Sequence, residues 1–420
     1  MPMRMQLFSK KKWTLMLVLV LASFASTGCY DRQELEQQAF VSILGIDKAP
    51  NGLIDCTFTL SVPTSPTGGG GKPPLAASGP VTYRANDITE ALMLANSSIE
   101  RSLTLSHLTT VVFGEDLAKD GVLPYLGTLA RFREFRRTVF IGVAKPSAQA
   151  IMSANKPMLE QSTGRIADDI ARIGERNGVV LVRHLHELLT SLEDAHSDPI
   201  LPLYAVNDSV KSDPKGESGI KGESVTFAAG KVERRGGNPV EWSGAAVFRG
   251  DKLVAELNGK EVAYLRILEG RVHTTKLDFD QTLPGLGPVG ISIRKERQPK
   301  YVVLLSSPMQ IRVDIPLEAD VLSGGNGQDF SHAQMRSQLE SRLNQQVSSD
   351  MTTLMKKLLN GLHVDPIPVS RSVRGRFATH QQWSSYPWEQ QLTSAKVAVE
   401  VNIQLRRFGI QSLPTINVTK

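Results

Sequence analysis

Cysteine is almost absent: among 420 residues there are two, Cys29 and Cys56. That excludes the disulfide framework on which small exported domains depend, and leaves stability to apolar cores. Apolar runs are short as well. The stretch at residues 15–24 (LMLVLVLASF) falls well below the roughly 20 residues a permanent bilayer-spanning helix needs. Recognisable catalytic signatures are missing too. Gly68-Gly69-Gly70-Gly71-Lys72 is not a phosphate loop, because Pro66 stands where Gly is required and Pro73 where Ser or Thr is required. His184 and His186 form an H-x-H pair without a third ligand cluster nearby, so surface or capping roles outrank a metal site. Asp168 and Asp169 are adjacent on an expected helix, so their carboxylates diverge and make no close acid/base dyad. No Ser elbow or dinucleotide fingerprint stands out. Motif absence alone does not exclude an enzyme, since triads assemble from distant positions.

What is present begins at the N-terminus. Residues 1–28 carry Arg4, Lys10, Lys11 and Lys12 and no acidic residue, then the apolar run, then Ala25-Ser26-Thr27-Gly28. Basic, apolar and small segments in that order make a secretory signal. Cys29 follows Gly28 directly, as in a bacterial lipobox, where the sulfur is acylated and the chain is cut between Gly28 and Cys29; Ser26 stands where that pattern usually has Leu. Two acyl chains, at about 0.8 kcal/mol per buried methylene, suffice for stable anchoring. Removing the leader lowers the formal charge from +6 to +2, so the basic balance is no evidence for nucleic-acid binding. Cys56 lies in an alternating strand-like run and reads as a small buried apolar residue.

The remaining 392 residues suffice for two or three domains. Residues 39–46 and 54–62 read as an antiparallel strand pair around the Asn51-Gly52 turn, and residues 61–80 as a long exposed loop. Asp87 with Glu90 marks a capping box that opens a helix carrying Ile88, Ala91, Leu92, Ala95 and Ile99 on one face. Strands follow at 109–113 and 138–144, with helices at 116–132 (interrupted near Pro124), 146–152, 159–173 and 185–192. Residues 207–224 are polar and Gly-rich, a linker or long loop. Beyond them strands are expected at 225–232, 244–248, 252–257, 273–280, 290–297, 301–305 and 311–317. A long amphipathic helix is expected over 331–359, its stripe of Met335, Leu339, Leu343, Val347, Met351, Leu354, Met355 and Leu358 core-facing by default. A final strand is expected at 396–405. The fold class is α+β: two to three mixed α+β domains in series, with helices packed on sheets. The expected division is a signal peptide (1–28), an N-terminal α+β domain (29–206), a linker (207–224), a strand-rich middle domain (225–322), a C-terminal α+β domain (323–412) and a tail (413–420), the middle and C-terminal parts being open to union as one unit.

Two surface features carry alternative readings. Arg131, Arg133, Arg136 and Arg137 crowd one stretch with Phe132 and Phe135. Charge clusters are ordinarily a solvated helix end; the functional alternative is contact with lipid headgroups or an acidic partner. Trp383, Tyr386 and Trp388 read first as closing a domain core, and second as an interface patch.

Several segments in order then resemble a known family. Gly28-Cys29-Tyr30-Asp31-Arg32-Gln33-Glu34-Leu35 followed by Leu44-Gly45-Ile46-Asp47 resembles the opening of the Ger(x)C family, the lipoprotein C subunits of spore germinant receptors, which usually have Trp where this chain has Tyr30. Ser106-His107-Leu108-Thr109, Phe113-Gly114-Glu115-Asp116-Leu117-Ala118 and Arg136-Arg137-Thr138 resemble its N-terminal region. The run from Gly244-Ala245-Ala246-Val247-Phe248 through Arg249-Gly250-Asp251-Lys252-Leu253 resembles its middle strand pair. Residues 345–350, Trp383, Trp388 and residues 401–409 resemble its C-terminal region.

The resemblance implies a non-enzymatic scaffold or regulatory subunit on the outer face of the inner spore membrane. It would work with integral-membrane A and B subunits and need no cofactor beyond the covalent lipid, such as palmitate, on Cys29. Arg136, Arg137 and the long-helix stripe become candidate partner contacts. The rival from another class is a solute-binding lipoprotein of a transporter, which predicts two α/β lobes around a cleft. A lipid-anchored hydrolase is a third reading, for which no residue speaks.

Overall fold

The computed structural model describes residues 13–18, 34, 37–61, 79–159, 170–172, 174, 178–212, 228–271, 273–279, 288–324, 330 and 332–407. It is an α+β protein with two sheets. The leader apart from residues 13–18, Gly28, Cys29, the Gly68–Lys72 loop, Asp168 and Asp169, most of the helix expected at 159–173 and the tail lie outside the described residues.

The first sheet has nine strands: β1 (Gln38–Lys48), β2 (Ile54–Ser61), β3 (Val81–Ala85), β4 (Ser102–Thr104), β5 (Thr110–Gly114), β6 (Phe140–Lys145), β7 (Ile200–Val206), β8 (Val240–Arg249) and β9 (Lys252–Leu257). Their order is β3-β2-β1-β5-β6-β7-β8-β9, with β4 beside the start of β1. The centre, β1-β5-β6-β7, is parallel, and antiparallel pairs flank it on both sides. Helices on both faces bury the parallel centre, and so β5 (TVVFG) is buried at every position. The first hairpin turns through Asn51 (φ +60°) and Gly52 (φ +76°), as the sequence predicts. Helix α1 (Ile88–Ala95) starts on the expected cap: Asp87 accepts the Glu90 amide at 2.8 Å, while Glu90 accepts the Asn86 amide. The helix expected over 116–132 is two helices, α2 (Glu115–Asp120) and α3 (Leu123–Arg131), because Gly121 at φ +127° breaks the first and Pro124 sits in the first turn of the second. Helices α4 (Ala148–Ala154) and α5 (Leu185–Glu193) follow.

Residues 207–224 do not separate the sheets. β8 and β9, which follow that segment and were expected in a middle domain, pair onto β7 and complete the first sheet. The strand expected at 225–232 is not formed in its described part, where Ala228–Gly230 turn through Gly230 at φ +77° and the Gly230 amide is held by Glu241.

The second sheet holds β10 (Thr274–Phe279), β11 (Val289–Lys295), β12 (Lys300–Leu304), β13 (Gln310–Gly324) and β14 (Lys396–Arg407). β13 is long enough to pair β12 with its first half and β11 with its second, while β14 runs parallel along its other side. The middle and C-terminal segments thus share one sheet. Helix α6 (Gly259–Leu268) links the two sheets.

Helix α7 (Ala333–Lys356) buries the expected stripe, including Leu339, Leu343, Val347 and Met351, against this sheet. The next stripe round the helix is polar and does a different job. Thr352, Ser348, Asn344 and Glu340 accept the backbone N–H groups of Val399, Val401, Ile403 and Leu405 at 3.1, 3.0, 2.6 and 2.8 Å. Four helical residues rise about 6.0 Å and two strand residues about 6.6 Å, so the two periods nearly match. Along the ladder the side chains lengthen from Thr and Ser to Asn and Glu, which takes up the mismatch. An edge that would otherwise offer a row of open donors is closed.

Candidate functional site

The residues that carry the family resemblance in the first sheet are mostly builders. Asp47, at the end of β1, accepts the amides of Ala148 at 2.7 Å and Gln149 at 2.8 Å, and so caps a helix a hundred residues away in sequence. Ser147 adds a bond to the Ala150 amide. Burial pushes the Asp47 carboxyl above its ordinary range, and the Gln149 and Ala148 amides pull it back. Gly45 lets α4 approach: a Cβ there would lie 2.7 Å from Met152 Sδ and 2.8 Å from Ala148 Cβ. Gly114 clears space for the carboxylate, since a Cβ there would sit 2.0 Å from Asp47 Oδ1. Leu44-Gly45-Ile46-Asp47 and Phe113-Gly114 are one docking device for α4. Cys56, between them and α1, is fully buried, and burial raises its thiol to about 12, in keeping with an apolar role.

The second family segment builds the seam between the two units. At the β8–β9 turn, Arg249 donates to the Leu362 carbonyl, the Gly250 amide donates to Asp198 at 2.9 Å, and Asp251 accepts the amides of Val122 and Leu123. Asp198 also accepts the Asp365 amide at 2.9 Å, while Asp365 accepts the amides of Val369 and Ser370. Burial raises Asp365 to about 6, opposed by the Ser370 and Val369 bonds and helped by the charge of Asp198. Asp198 is likewise raised by burial. Ser370 donates to the His196 carbonyl, and the His196 ring meets the Trp383 carbonyl at 2.7 Å. Trp383 and Trp388 are buried beside it and close the core, as expected. Farther along the seam Arg183 bonds Glu269, and Arg271 reaches Glu187 at 2.5 Å. Burial works against the Glu187 charge, but the His184 bond and the nearby Arg183 and Arg271 hold its carboxyl well below the usual range.

A cavity of about 230 Å³ lies on this seam, lined among others by Arg183, Glu187, Asp198, Glu269, Arg271 and Arg371. Its cations are already matched: Arg371 meets Asp194, Arg183 meets Glu269 and Arg271 meets Glu187, while Asp198 holds backbone amides. One oxygen of Glu269 has no hydrogen-bond partner among the described residues. The chemistry is that of a rigid joint between two units.

The expected site residues fall elsewhere. Gly28 and Cys29 lie outside the described residues. Arg136 and Arg137 are exposed on the loop between α3 and β6. His184 starts α5, its amide on Glu187 at 3.0 Å and its ring 5.6 Å from that of His186, which touches the Arg137 carbonyl. No group of three or more metal-ligating side chains occurs among the described residues. No helix among them is long and apolar enough to cross a membrane. The seam carboxylates Asp198 and Asp365 escaped sequence reading, because their partners are backbone amides far off in the chain.

Two α+β units joined by this seam carry two family models in order. Residues 31–206 match the model described as spore germination protein N-terminal domain, and residues 243–409 that described as spore germination B3/GerAC like, C-terminal. Fold and match together define a spore germination protein. The chain belongs to the Ger(x)C family, the C subunits of spore germinant receptors. Among its relatives is the putative spore germination protein YfkR of Bacillus subtilis, 23% identical over 91% of this chain and 94% of that protein. Spore germination protein KC of the same organism is 22% identical over 96% and 98%, and spore germination protein GerQC of Bacillus cereus is 20% identical over 95% and 99%. The crystal structure of the GerBC protein aligns over 86% of this chain and 96% of that chain, at 15% identity and a TM-score of 0.46. The gap between the two family models, residues 207–242, runs from the end of β7 into the start of β8, strands paired within one sheet. The C-terminal family part therefore completes the N-terminal sheet.

Proposed function

We propose that the chain is a lipid-anchored, non-enzymatic subunit of a nutrient germinant receptor, tethered through Cys29 to the outer face of the inner spore membrane. The observation that carries this reading is the pair of family matches spanning both units, combined with the leader and Gly28-Cys29 before them. Its role is scaffolding. The lipid raises the local concentration of the two units near the integral-membrane A and B subunits, and the bonded seam supports presentation of the units in one relative orientation. A transporter solute-binding role gains nothing from a seam whose cations are already matched. The test is a pull-down from detergent-solubilised spore membranes, comparing wild type with Cys29→Ala. Two polytopic subunits recovered with wild type and depleted with the variant support the assignment. A permease recovered in their place sinks it.

A further inference from the structure

The end of α3 and the loop that joins it to β6 carry four exposed arginines, Arg131, Arg133, Arg136 and Arg137, none with an ion pair or side-chain hydrogen bond among the described residues. Arg84, Arg271, Arg294, Arg312 and Arg406 each meet a carboxylate; other exposed arginines, such as Arg235, Arg342 and Arg376, are scattered along the chain, whereas here four crowd within residues 131–137. The loop itself is held firmly. Phe135 is buried, with Phe132 packed at a ring distance of 6.1 Å. Glu134 accepts the Leu105 amide at 2.7 Å and the Thr104 hydroxyl at 3.1 Å. The Arg136 and Arg137 carbonyls accept the amides of Val139 and His186. The guanidinium groups are thus displayed from a fixed backbone, and the one glutamate among them is occupied by its own bonds.

The position of the loop gives this display a direction. Glu134 grips Thr104 and Leu105, and β4, ending at Thr104, pairs in parallel with Gln38–Phe40, the first residues of β1. His107, just beyond β4, stacks on Phe40 at 4.2 Å. Cys29 lies nine positions before Gln38 in the sequence, a span of at most about 30 Å when fully extended. A bilayer holding Cys29 by its acyl chains is therefore within reach of the edge that displays the arginines. A basic cluster beside a lipid anchor adds attraction to anionic headgroups and fixes which side of the protein meets the bilayer.

We infer that the 131–137 loop is a membrane-contact surface, its arginines binding the phosphate groups of anionic lipids beside the Cys29 anchor. This rests on the anchored reading above and adds to it a side: the end of the first sheet where β4 pairs with the start of β1 faces the bilayer.

The test uses the mature chain, residues 29–420, with Cys29→Ser so that no acyl group contributes. Binding is measured by flotation with phosphatidylcholine vesicles and with vesicles containing one-third phosphatidylglycerol. Binding to the anionic vesicles alone, weakened by salt, is expected. Replacing all four arginines by Gln should lower it about fivefold per residue, more than a hundredfold together, with unchanged thermal melting. Replacement by Lys should keep most of it, because a headgroup surface reads charge. Equal binding to both vesicles, or a Gln variant that binds like the parent, overturns the proposal. So does a result in which no vesicle is bound but the Gln variant loses the polytopic subunits in the pull-down, which assigns the loop to a protein contact. Mass spectrometry of the native chain decides the anchor separately: absence of acyl groups on Cys29 defeats the anchored reading and leaves the vesicle result interpretable.

Discussion

Each sheet of this chain must hold a helix against strands, and the two do it by different means. In the first sheet α4 is held end-on, with its opening amides on one buried carboxylate, Asp47, and with Gly45 and Gly114 kept bare so that helix and carboxylate fit. In the second, α7 is held side-on by a row of four polar side chains spread over 13 residues (340–352), each bonding one amide of β14. The first arrangement concentrates its energy in one place, and the second distributes it. A single change should therefore be costly in the first sheet and mild in the second.

The largest expected effect is Gly114→Ala. Its Cβ displaces Asp47, leaving two helix amides and a buried carboxylate unpaired, which costs about 3 kcal/mol or more. Denaturant unfolding measures it. Asp47→Ala removes the obstacle as well as the cap, so the double variant should be far less destabilised than the sum of the two singles. Additive losses would show that Gly114 and Asp47 do not act as one device.

How much of this was legible in the sequence follows from the same contrast. Local signals translated well. The Asp87 cap, the Asn51-Gly52 turn, the strand pair at 244–248 and 252–257 and the α7 apolar stripe were all found where a few neighbouring residues carry the information. Helix α6 was missed because residues 262–268 are all buried; with no polar face there is no helical period to read. Its one local signal was the Asn258…Glu261 capping box, which is formed. β7 was missed because Pro202 interrupts an apolar run, and the sheet accommodates it at a bulge. Glycines such as Gly45 and Gly114 gave no warning, because the atoms that forbid a side chain there come from distant residues. The lipobox and the basic loop were visible as patterns, but only folding brings the loop beside the start of β1.

A middle-sized effect should come from the seam, where the contrast becomes one of pH. Asp365 is raised to about 6 from 3.8 in the folded chain, so the native state binds its proton more tightly than the unfolded state. Stability from this group is greatest below pH 3.8 and is lost as pH rises through about 6. Between pH 7 and pH 5, acidification should stabilise the protein by about 1 kcal/mol through Asp365 alone. Glu187 is shifted the other way, and its contribution is kept above 4.5 and lost only in stronger acid, so it stays silent in that window. The difference between wild type and Asp365→Asn across pH 5 to 7 isolates the Asp365 contribution. A flat difference means that the seam does not shift the Asp365 proton equilibrium.

The smallest effects belong to the ladder, and their pattern is more telling than their size. Asn344→Ala removes one acceptor from the β14 edge, where water can partly replace it, for a loss of about 1 kcal/mol or less. In a parallel pair, alternate residues of a strand turn their backbone groups to opposite sides. The amides of Val399, Val401, Ile403 and Leu405 face α7, which places those of Ala398, Glu400, Asn402 and Gln404 toward β13. Asn344→Ala should therefore speed hydrogen exchange at Ile403 and leave Gln404 close to its original protection. Ser348→Ala should move the effect to Val401, one rung along. Faster exchange at both odd and even positions would mean that β14 detaches as a whole, and that α7 holds the sheet as cooperatively as Asp47 holds α4.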